Sequence, residues 1–311
     1  MSLFDEVKCI GDIFPELKDL PEVVQLCKHF KDIKDYTKIK FPVANEVKVD
    51  GVYCFVTVLH DGRTYAFGRS GLLFTNLGFV AQRFSNCCAG VYINEIANDL
   101  FTLEQLSGVT SPARVNPLEP NVAADHLAYT HANLHDYLTI EEFVAGSSNC
   151  PYSERRAYLT EINKSGEPEV KMELIHTLEE FEAASDEMIA HGEEGSCGKP
   201  LSGTWKRGRR DHNCFKKVRE IKLDLECIRV EDGKGKRAGI VANMFFRWKN
   251  GTELKADLGK GYSDLDRLAM YQNPPIGKIF LVTAMQESSV NGVLRKAKVG
   301  MIREDKTVAD F

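Results

Sequence analysis

The hydrophobic period of the chain changes along its length, and each change marks a different kind of element. Between residues 13 and 38 (IFPELKDLPEVVQLCKHFKDIKDYTK), Leu17, Leu20, Val24, Cys27 and Phe30 recur at helical intervals, with Pro15 and Pro21 at the expected helix starts. From Val47 through Ile96 the period falls to two. VYCFVTVLH, the turn signal Asp61-Gly62, RTYAFGR and then GVYINEIAN predict an antiparallel sheet. SGVTSPARVNPLEPNVAADH holds Pro112, Pro117 and Pro120 with no clear period and reads as a long surface loop. LEEFEAASDEMIAH (178–191) predicts an amphipathic helix with Leu178, Phe181, Met188 and Ile189 on its buried side.

Beyond about residue 225 the pattern returns to short strands: LECIRV, GIVANMFFRW, a turn at Asn250-Gly251, TELKADLG, a short helix opening at Ser263, then KIFLVTAM and GVLRKAKVGMI. Several strands and one helix in this span fit a small closed or nearly closed barrel of the OB type. The reading is therefore an α+β domain over 1–225 and a small all-β domain over 226–311, with the boundary near Leu225.

A length of 311 residues, with 43% hydrophobic and 27% charged positions, is ordinary for a globular protein. The net charge of −5 argues against a protein that coats polyanions indiscriminately. Local charge differs: Trp205 to Lys222 carries eight basic and two acidic residues, a net +6, which leaves −11 for the rest of the chain. Nine cysteines without a Cys-x-x-Cys pair argue for a reduced cytosolic setting and against a zinc site. The start MSLFDEVKCIGD lacks a basic segment followed by an apolar stretch, and no apolar run reaches membrane-spanning length. The expected location is cytoplasmic, in the host cytoplasm if the chain is viral.

Candidate chemistry begins at EVKVDGVY (46–53). On a strand, Lys48 and Asp50 share one face while Val47 and Val49 share the other, and Gly51 lets the chain turn at once. An amine is thereby fixed at the rim of a sheet. A free lysine is neutral in only about one molecule in 2,500 at pH 7, and only the neutral amine attacks. Neighbouring cations and partial burial lower the pKa, so further lysines are expected nearby.

Arg69 follows in FGRSG, Glu95 in VYINEIAND, Glu194 and Lys199 in EGSCGK, and Lys217 with Arg219 in CFKKVRE. With this ordered set the chain resembles the covalent nucleotidyltransferases, which comprise ATP-dependent DNA ligases, RNA ligases and mRNA capping enzymes. It is most similar to the small bacteriophage-type ATP-dependent DNA ligases, over about residues 41 to 311. The resemblance implies an ATP-grasp-like nucleotidyltransferase domain with antiparallel sheets followed by an OB-fold domain, ATP and Mg²⁺ as cofactors, and nicked duplex DNA as the partner of a monomer.

The resemblance also implies residue roles. Lys48 would attack the α-phosphate and carry AMP, with Glu46 at the adenine edge. Arg69 would contact ribose and later the DNA 5′-phosphate, and Glu95 ribose and metal. Glu194 would complete the metal site, while Lys199 and Lys217, with Arg219, would grip phosphate. The adenine-stacking aromatic falls on His135, with Tyr137 as the alternative, and Lys216 would shift the last motif by one. Arg69, Lys206, Arg207, Arg209, Arg210, Lys236 and Arg237 would bind DNA.

Two departures stand out. Tyr53 occupies a position that is usually arginine, and Ser196-Cys197-Gly198 replaces an apolar segment. Glu194 and Lys199, five apart, face opposite ways on a regular strand, so a bulge near Gly195 or Gly198 is expected. The alternatives are an RNA ligase with the same lysine chemistry and a noncatalytic nucleic-acid-binding protein built on a transferase domain.

Overall fold

The computed structural model describes residues 7–259, 261–288 and 292–311. The first six residues, on which the reading of the N-terminus partly rested, lie outside the described residues. The chain forms two compact units, Met1–Val218 and Arg219–Phe311. The break expected near Leu225 falls inside a 12-residue strand, Ile221–Asp232, so the units part seven residues earlier than the hydrophobic pattern indicated.

The first unit contains strands β1 (Lys28–His29), β2 (Val43–Val47), β3 (Val52–Val58), β4 (Thr64–Gly68), β5 (Gly90–Asn98) and β6 (Thr130–Leu138). These are followed by β7 (Ser147–Ser148), β8 (Met172–Ile175), β9 (Gly195–Pro200), β10 (Trp205–Lys206) and β11 (Phe215–Val218). Its helices are α1 (Gly78–Gln82), α2 (Leu103–Thr110), α3 (Pro120–Tyr129), α4 (Ile140–Ala145), α5 (Tyr152–Ile162) and α6 (Leu178–Ala190).

Two sheets organise the unit, one ordered β1-β11-β9-β2-β8 and the other β4-β3-β5-β6. The second is antiparallel throughout, as its alternating pattern predicts. The first departs from the expectation in one pair, because β1 runs parallel to β11. The antiparallel sheet is buried on both faces: Cys54, Val56 and Tyr92 enter one apolar cluster, Phe55, Val91 and Ile93 the other.

Residues 13–38 do not form the expected helices. They fold as short 3₁₀ turns at Pro15–Leu17, Phe30–Asp32 and Tyr36–Lys38 around β1. Pro15 and Pro21 bracket only five residues, too few to offset helix nucleation, and proline brings no amide donor. Tertiary burial rather than helical periodicity explains the spacing, since Leu17, Val24 and Phe30 are all buried. The long loop expected at 107–126 shrinks to 111–119: α2 runs to Thr110, and Pro120 opens α3 at the one helical position where its missing donor costs nothing. Helix α6 forms as expected but buries Phe181 and Ser185, leaving Leu178, Met188 and Ile189 half-buried.

The second unit is a closed barrel of β12 (Ile221–Asp232), β13 (Val241–Arg247), β14 (Glu253–Leu258), β15 (Ile279–Ala284) and β18 (Lys298–Ile302), in the order β12-β13-β14-β18-β15. Strands β16 (Gln286–Glu287) and β17 (Leu294–Arg295) make a separate ribbon. Helix α7 (Asp264–Gln272) connects β14 to β15, and Ser263 caps it by accepting from the Asp266 amide at 3.2 Å. Asn250 and Gly251 both adopt positive φ (57° and 72°), which turns β13 tightly into β14. Phe246, Phe280, Leu254 and Val282 fill the barrel. The closed barrel and its helix match the expected OB-type module.

Candidate active site

Strand β2 stops at Val47, so Lys48 does not sit within a strand; it is the first residue beyond one. Its amide donates to Gly195 O at 2.9 Å, which fixes the backbone, and its amine pairs with the Glu194 carboxylate. Strand register defines the face on which this happens. Glu46 is opposite Cys197, Ala44 is opposite Lys199, and Cys197 is opposite Lys216 on β11. Side chains alternate along a strand, so Glu46, Cys197, Lys199 and Lys216 share one face. The other face packs on α6: the Ser196 and Ser185 hydroxyls lie 2.6 Å apart, and the Phe215 ring meets Phe181 at 5.0 Å.

The bulge expected between Glu194 and Lys199 does not form; Glu194 lies just before β9, and the backbone is re-aimed at Gly195. This residue has φ +138°, and a Cβ there would lie 2.2 Å from Lys217 O. Only glycine fits, and its unusual conformation brings Glu194 to Lys48 although Lys199 is five residues on. From Gly195 to Pro200 the ladders themselves are in regular register.

The antiparallel sheet supplies the opposite wall. Tyr53 is paired with Glu95, the Arg69 guanidinium lies 5.0 Å above the Tyr53 ring, and His135 lies 6.3 Å from it. Gly51 lets this wall approach, because a Cβ there would meet Ile96 O at 2.3 Å and Glu95 Cγ at 2.8 Å. His135 is the extra residue of a bulge: Ile93 pairs with Asp136 and Asn94 with Leu134, so His135 is left out of the ladder and re-aimed. The alternative, Tyr137, is not available for stacking. Its ring is buried against Tyr92, and its hydroxyl donates to Ala89 O at 2.6 Å.

Electrostatics overturn one expectation. Cations were expected to crowd Lys48 and lower its pKa; instead it is raised. Burial works to lower it, but the Glu194 carboxylate, with Cys197 and Glu95, outweighs burial. A second amine of the site has a carboxylate partner of its own. Lys199 Nζ lies 2.8 Å from Glu46 Oε2, and although burial opposes the charge, Glu46 keeps its pKa well above the usual lysine value. Lys199 also meets His135 Nδ1 and O, each at 3.0 Å. Burial, then the charges of Lys199 and Arg156, push His135 well below the usual histidine range, so it is a neutral ring here. Burial raises Glu95 to about 7 against the opposing pull of Lys48 and Arg69. Glu46 is buried and bonded to the Tyr152 hydroxyl as well as to Lys199, so its carboxylate is committed to internal partners.

Within the first unit, two predicted cations, Lys217 and Arg207, are bound away from this face. Lys217, opposite Ser196, turns to α6, where its amine bonds Asp186 Oδ2 at 2.8 Å and Glu182 O at 3.2 Å. The site-facing lysine of β11 is Lys216, because the side-chain period is two. Arg219 opens the second unit. Arg207 is not a free DNA contact: its guanidinium donates to Phe143 O and to Val144 O, the latter at 3.0 Å, closing the end of α4. Lys206, Arg209 and Arg210 are exposed, Arg210 also donating to Cys27 O at 3.1 Å. Lys236 and Arg237 are exposed on the 3₁₀ turn Gly235–Arg237 of the second unit. The site thus gathers Lys48, Glu46, Arg69, Glu95, His135, Glu194, Lys199 and Lys216.

No protein-family model matches the chain. Two curated proteins do, each over a part: a "Probable DNA ligase" of Sorangium cellulosum (strain So ce56), 35% identical over 94 residues, and one of Koribacter versatilis (strain Ellin345), 35% identical over 99 residues. These stretches cover 30% and 32% of this chain but only 17% and 16% of those proteins. Among solved structures, "Pmar-Lig_PreS3" has a TM-score of 0.73 at 19% identity, covering 94% of this chain and 70% of that one. A structure from an analysis of Lig E DNA ligases has a TM-score of 0.68 at 16% identity, covering 90% and 98%. The ATP-dependent DNA ligase from bacteriophage T7, in complex with ATP, has a TM-score of 0.54 at 16% identity, also covering 90% and 98%. The fold is that of the ATP-dependent DNA ligases.

On this ligase fold the walls of the site are held by residues the sequence reading missed. Tyr152 and Arg156, at the start of α5, reach Glu46, and Arg156 also donates to Leu134 O at 3.1 Å and Val170 O at 2.8 Å. Arg155 clamps Asp136 through two bonds of 2.8 and 2.9 Å, which anchors the strand beside His135. The available signal was the adjacent arginine pair in SERRAYL, on a helix whose polar residues leave no clean apolar stripe.

Proposed function

We propose that this chain is an ATP-dependent DNA ligase that seals nicks in duplex DNA through a covalent lysyl-AMP and an adenylated DNA 5′-phosphate. The observation that carries the reading is the Lys48 amine held on Glu194, on the same face as the Glu46–Lys199 pair, in a fold shared with a ligase solved with ATP.

Lys48 enters the reaction as an ammonium, so it must lose a proton before its nitrogen attacks the α-phosphorus. Glu194 already accepts its hydrogen bond and is the base nearest that proton. As the N–P bond forms, the bond to pyrophosphate breaks. Phosphoryl transfer asks mainly for in-line placement and positive charge on the equatorial oxygens, which Lys199 and Lys216 offer from one face. His135 and Tyr53 present ring surface for the base, and Arg69 stands at the rim for ribose and, later, the DNA phosphate.

Glu95 and Glu194 fit a hard divalent cation: both offer oxygen donors, and two carboxylates near each other in a partly buried site favour a compensating charge. Bound there, Mg²⁺ would neutralise triphosphate charge. The exposed Lys206, Arg209 and Arg210 supply sequence-independent phosphate contacts.

The test is incubation with α-labelled ATP and Mg²⁺, followed by a chase onto nicked DNA or nicked RNA. Acid-labile label on Lys48 that moves to DNA is the expected result. Label on a Lys48→Ala variant, or none on the native chain, refutes the reading, and transfer to RNA alone assigns an RNA ligase.

A further inference from the structure

The site face carries three cysteines that the proposed reaction leaves without a role. Cys27 and Cys214 place their sulfurs 3.0 Å apart although 187 residues separate them in sequence. The reason is strand register. Strand β1 pairs with β11 in parallel, Lys28 opposite Phe215, so the residues one step earlier, Cys27 and Cys214, lie side by side. The Lys28 amide donating to Cys214 O at 2.9 Å locks that alignment. Adjacent strands are about 4.7–4.9 Å apart, within the Cα separation that a disulfide spans.

Cys214 immediately precedes β11, two residues before Lys216, whose cross-strand partner on the site face is Cys197 of β9. Cys197 and Cys27 influence each other electrostatically, the contact with Cys27 lowering the Cys197 thiol. All three cysteines are half-buried residues. Contacts with Cys197 and Cys214, together with burial, push the Cys27 thiol well up, which suits it to act second, as the resolving thiol, rather than first.

We propose that Cys27 and Cys214 are an oxidation site: a peroxide converts them into a reversible disulfide that ties β1 to β11 beside the nucleotide face and slows self-adenylation. The Cys214 thiolate attacks one peroxide oxygen; an S–O bond forms, the O–O bond breaks, and the released hydroxide takes up the thiol proton as water. Cys27 sulfur then attacks the sulfenic sulfur, forming S–S while the S–O bond breaks and a second water leaves. Two thiols lose two protons and two electrons, and one peroxide is reduced to two waters. The link does not depend on the ligase reading; the loss of adenylation does.

The experiment treats the native chain with stoichiometric hydrogen peroxide, blocks remaining thiols with an alkylating reagent, and maps peptides by mass spectrometry with and without ATP lacking Mg²⁺. The expected result is a linked pair of peptides containing Cys27 and Cys214, lighter by two hydrogens, reversed by dithiothreitol, and absent in Cys27→Ser and Cys214→Ser variants. ATP is expected to slow its formation about threefold or more, and the linked protein to take up label at least about fivefold more slowly until reduced. Free Cys27 and Cys214 after peroxide, or a link from Cys27 to Cys197 in their place, overturns the site. Linkage without any change in labelling of an active protein overturns the control of adenylation. Linkage in a protein that never takes up label overturns the ligase reading and leaves the disulfide standing. Because the native chain gives the primary readout, the result stands even if the serine variants fail to fold.

Discussion

The sharpest consequence of the site concerns two neighbouring lysines that sequence alone does not separate. Lys216 shares its face with Cys197 and Lys199, whereas Lys217 is turned to α6 and bound to Asp186. Replacing Lys216 by alanine removes a charge positioned for the developing negative charge on phosphate. Removal of one such preorganised contact typically costs about 2.7–4 kcal/mol, or roughly 10²–10³ in rate. Replacing Lys217 removes an ion pair whose side chains are 22% and 66% exposed, a class contributing about 0.2–1 kcal/mol to stability and nothing to transition-state charge. The assay is the single-turnover rate of transfer from α-labelled ATP, with urea unfolding as the control for folding. Lys216→Ala is expected to lose at least about 100-fold in rate at nearly native stability, and Lys217→Ala to stay within about threefold. Equal losses from the two variants, or a larger loss from Lys217→Ala, would show that β11 presents its other face to the nucleotide and would refute the argument from register.

Other consequences follow from the same geometry. Gly195→Ala forces a Cβ to within 2.2 Å of Lys217 O at φ +138°, so it should lower unfolding free energy by at least about 1–3 kcal/mol and remove labelling of Lys48 by displacing Glu194. Arg207→Ala should lower the melting temperature, since the guanidinium holds α4 carbonyls, while Arg209→Ala leaves melting unchanged and reduces the salt slope of DNA binding by about 1. Stability should carry two opposing pH dependences below neutrality. Glu95, raised from 4.5 to about 7, disfavours folding as pH climbs through that window, by about 1–3 kcal/mol once solvent screening of a half-buried group is allowed for. His135, held well below its ordinary value, disfavours folding as pH falls below about 6.5, where the unfolded ring gains a proton. Urea titrations from pH 4 to 8 should therefore lose the fall in stability between about 4.5 and 7 in Glu95→Gln and the opposing loss below about 6.5 in His135→Asn. Unchanged slopes in both variants would contradict these assignments.

The patterns that survived folding were the apolar, β-branched and aromatic runs bounded by turn signals. The period-two runs at Val52–Val58 and Gly90–Asn98 became strands because both faces of that sheet meet apolar clusters, and the barrel followed from short alternating runs closed by Asn250-Gly251 and Ser263. The run from 13 to 38 misled because its apolar spacing serves tertiary burial, and the five residues between Pro15 and Pro21 are too few to nucleate a helix. Lys48, Glu95, Glu194 and Lys199 could be named from their order along the chain; that Glu46 would be bound to Lys199 and Tyr152 could not.

By itself, the chain's sequence determined which residue types are available, where strands alternate, and where glycine permits a turn or a close approach; these depend on local sterics and on side-chain period. Tertiary structure alone decided which lysine of the 216–217 pair faces the pocket, which of His135 and Tyr137 is left free by a bulge, and whether Lys48 carries its proton. Those outcomes depend on pairing between strands far apart in sequence, where a shift of one residue exchanges the faces and a carboxylate brought from 146 residues away sets the charge.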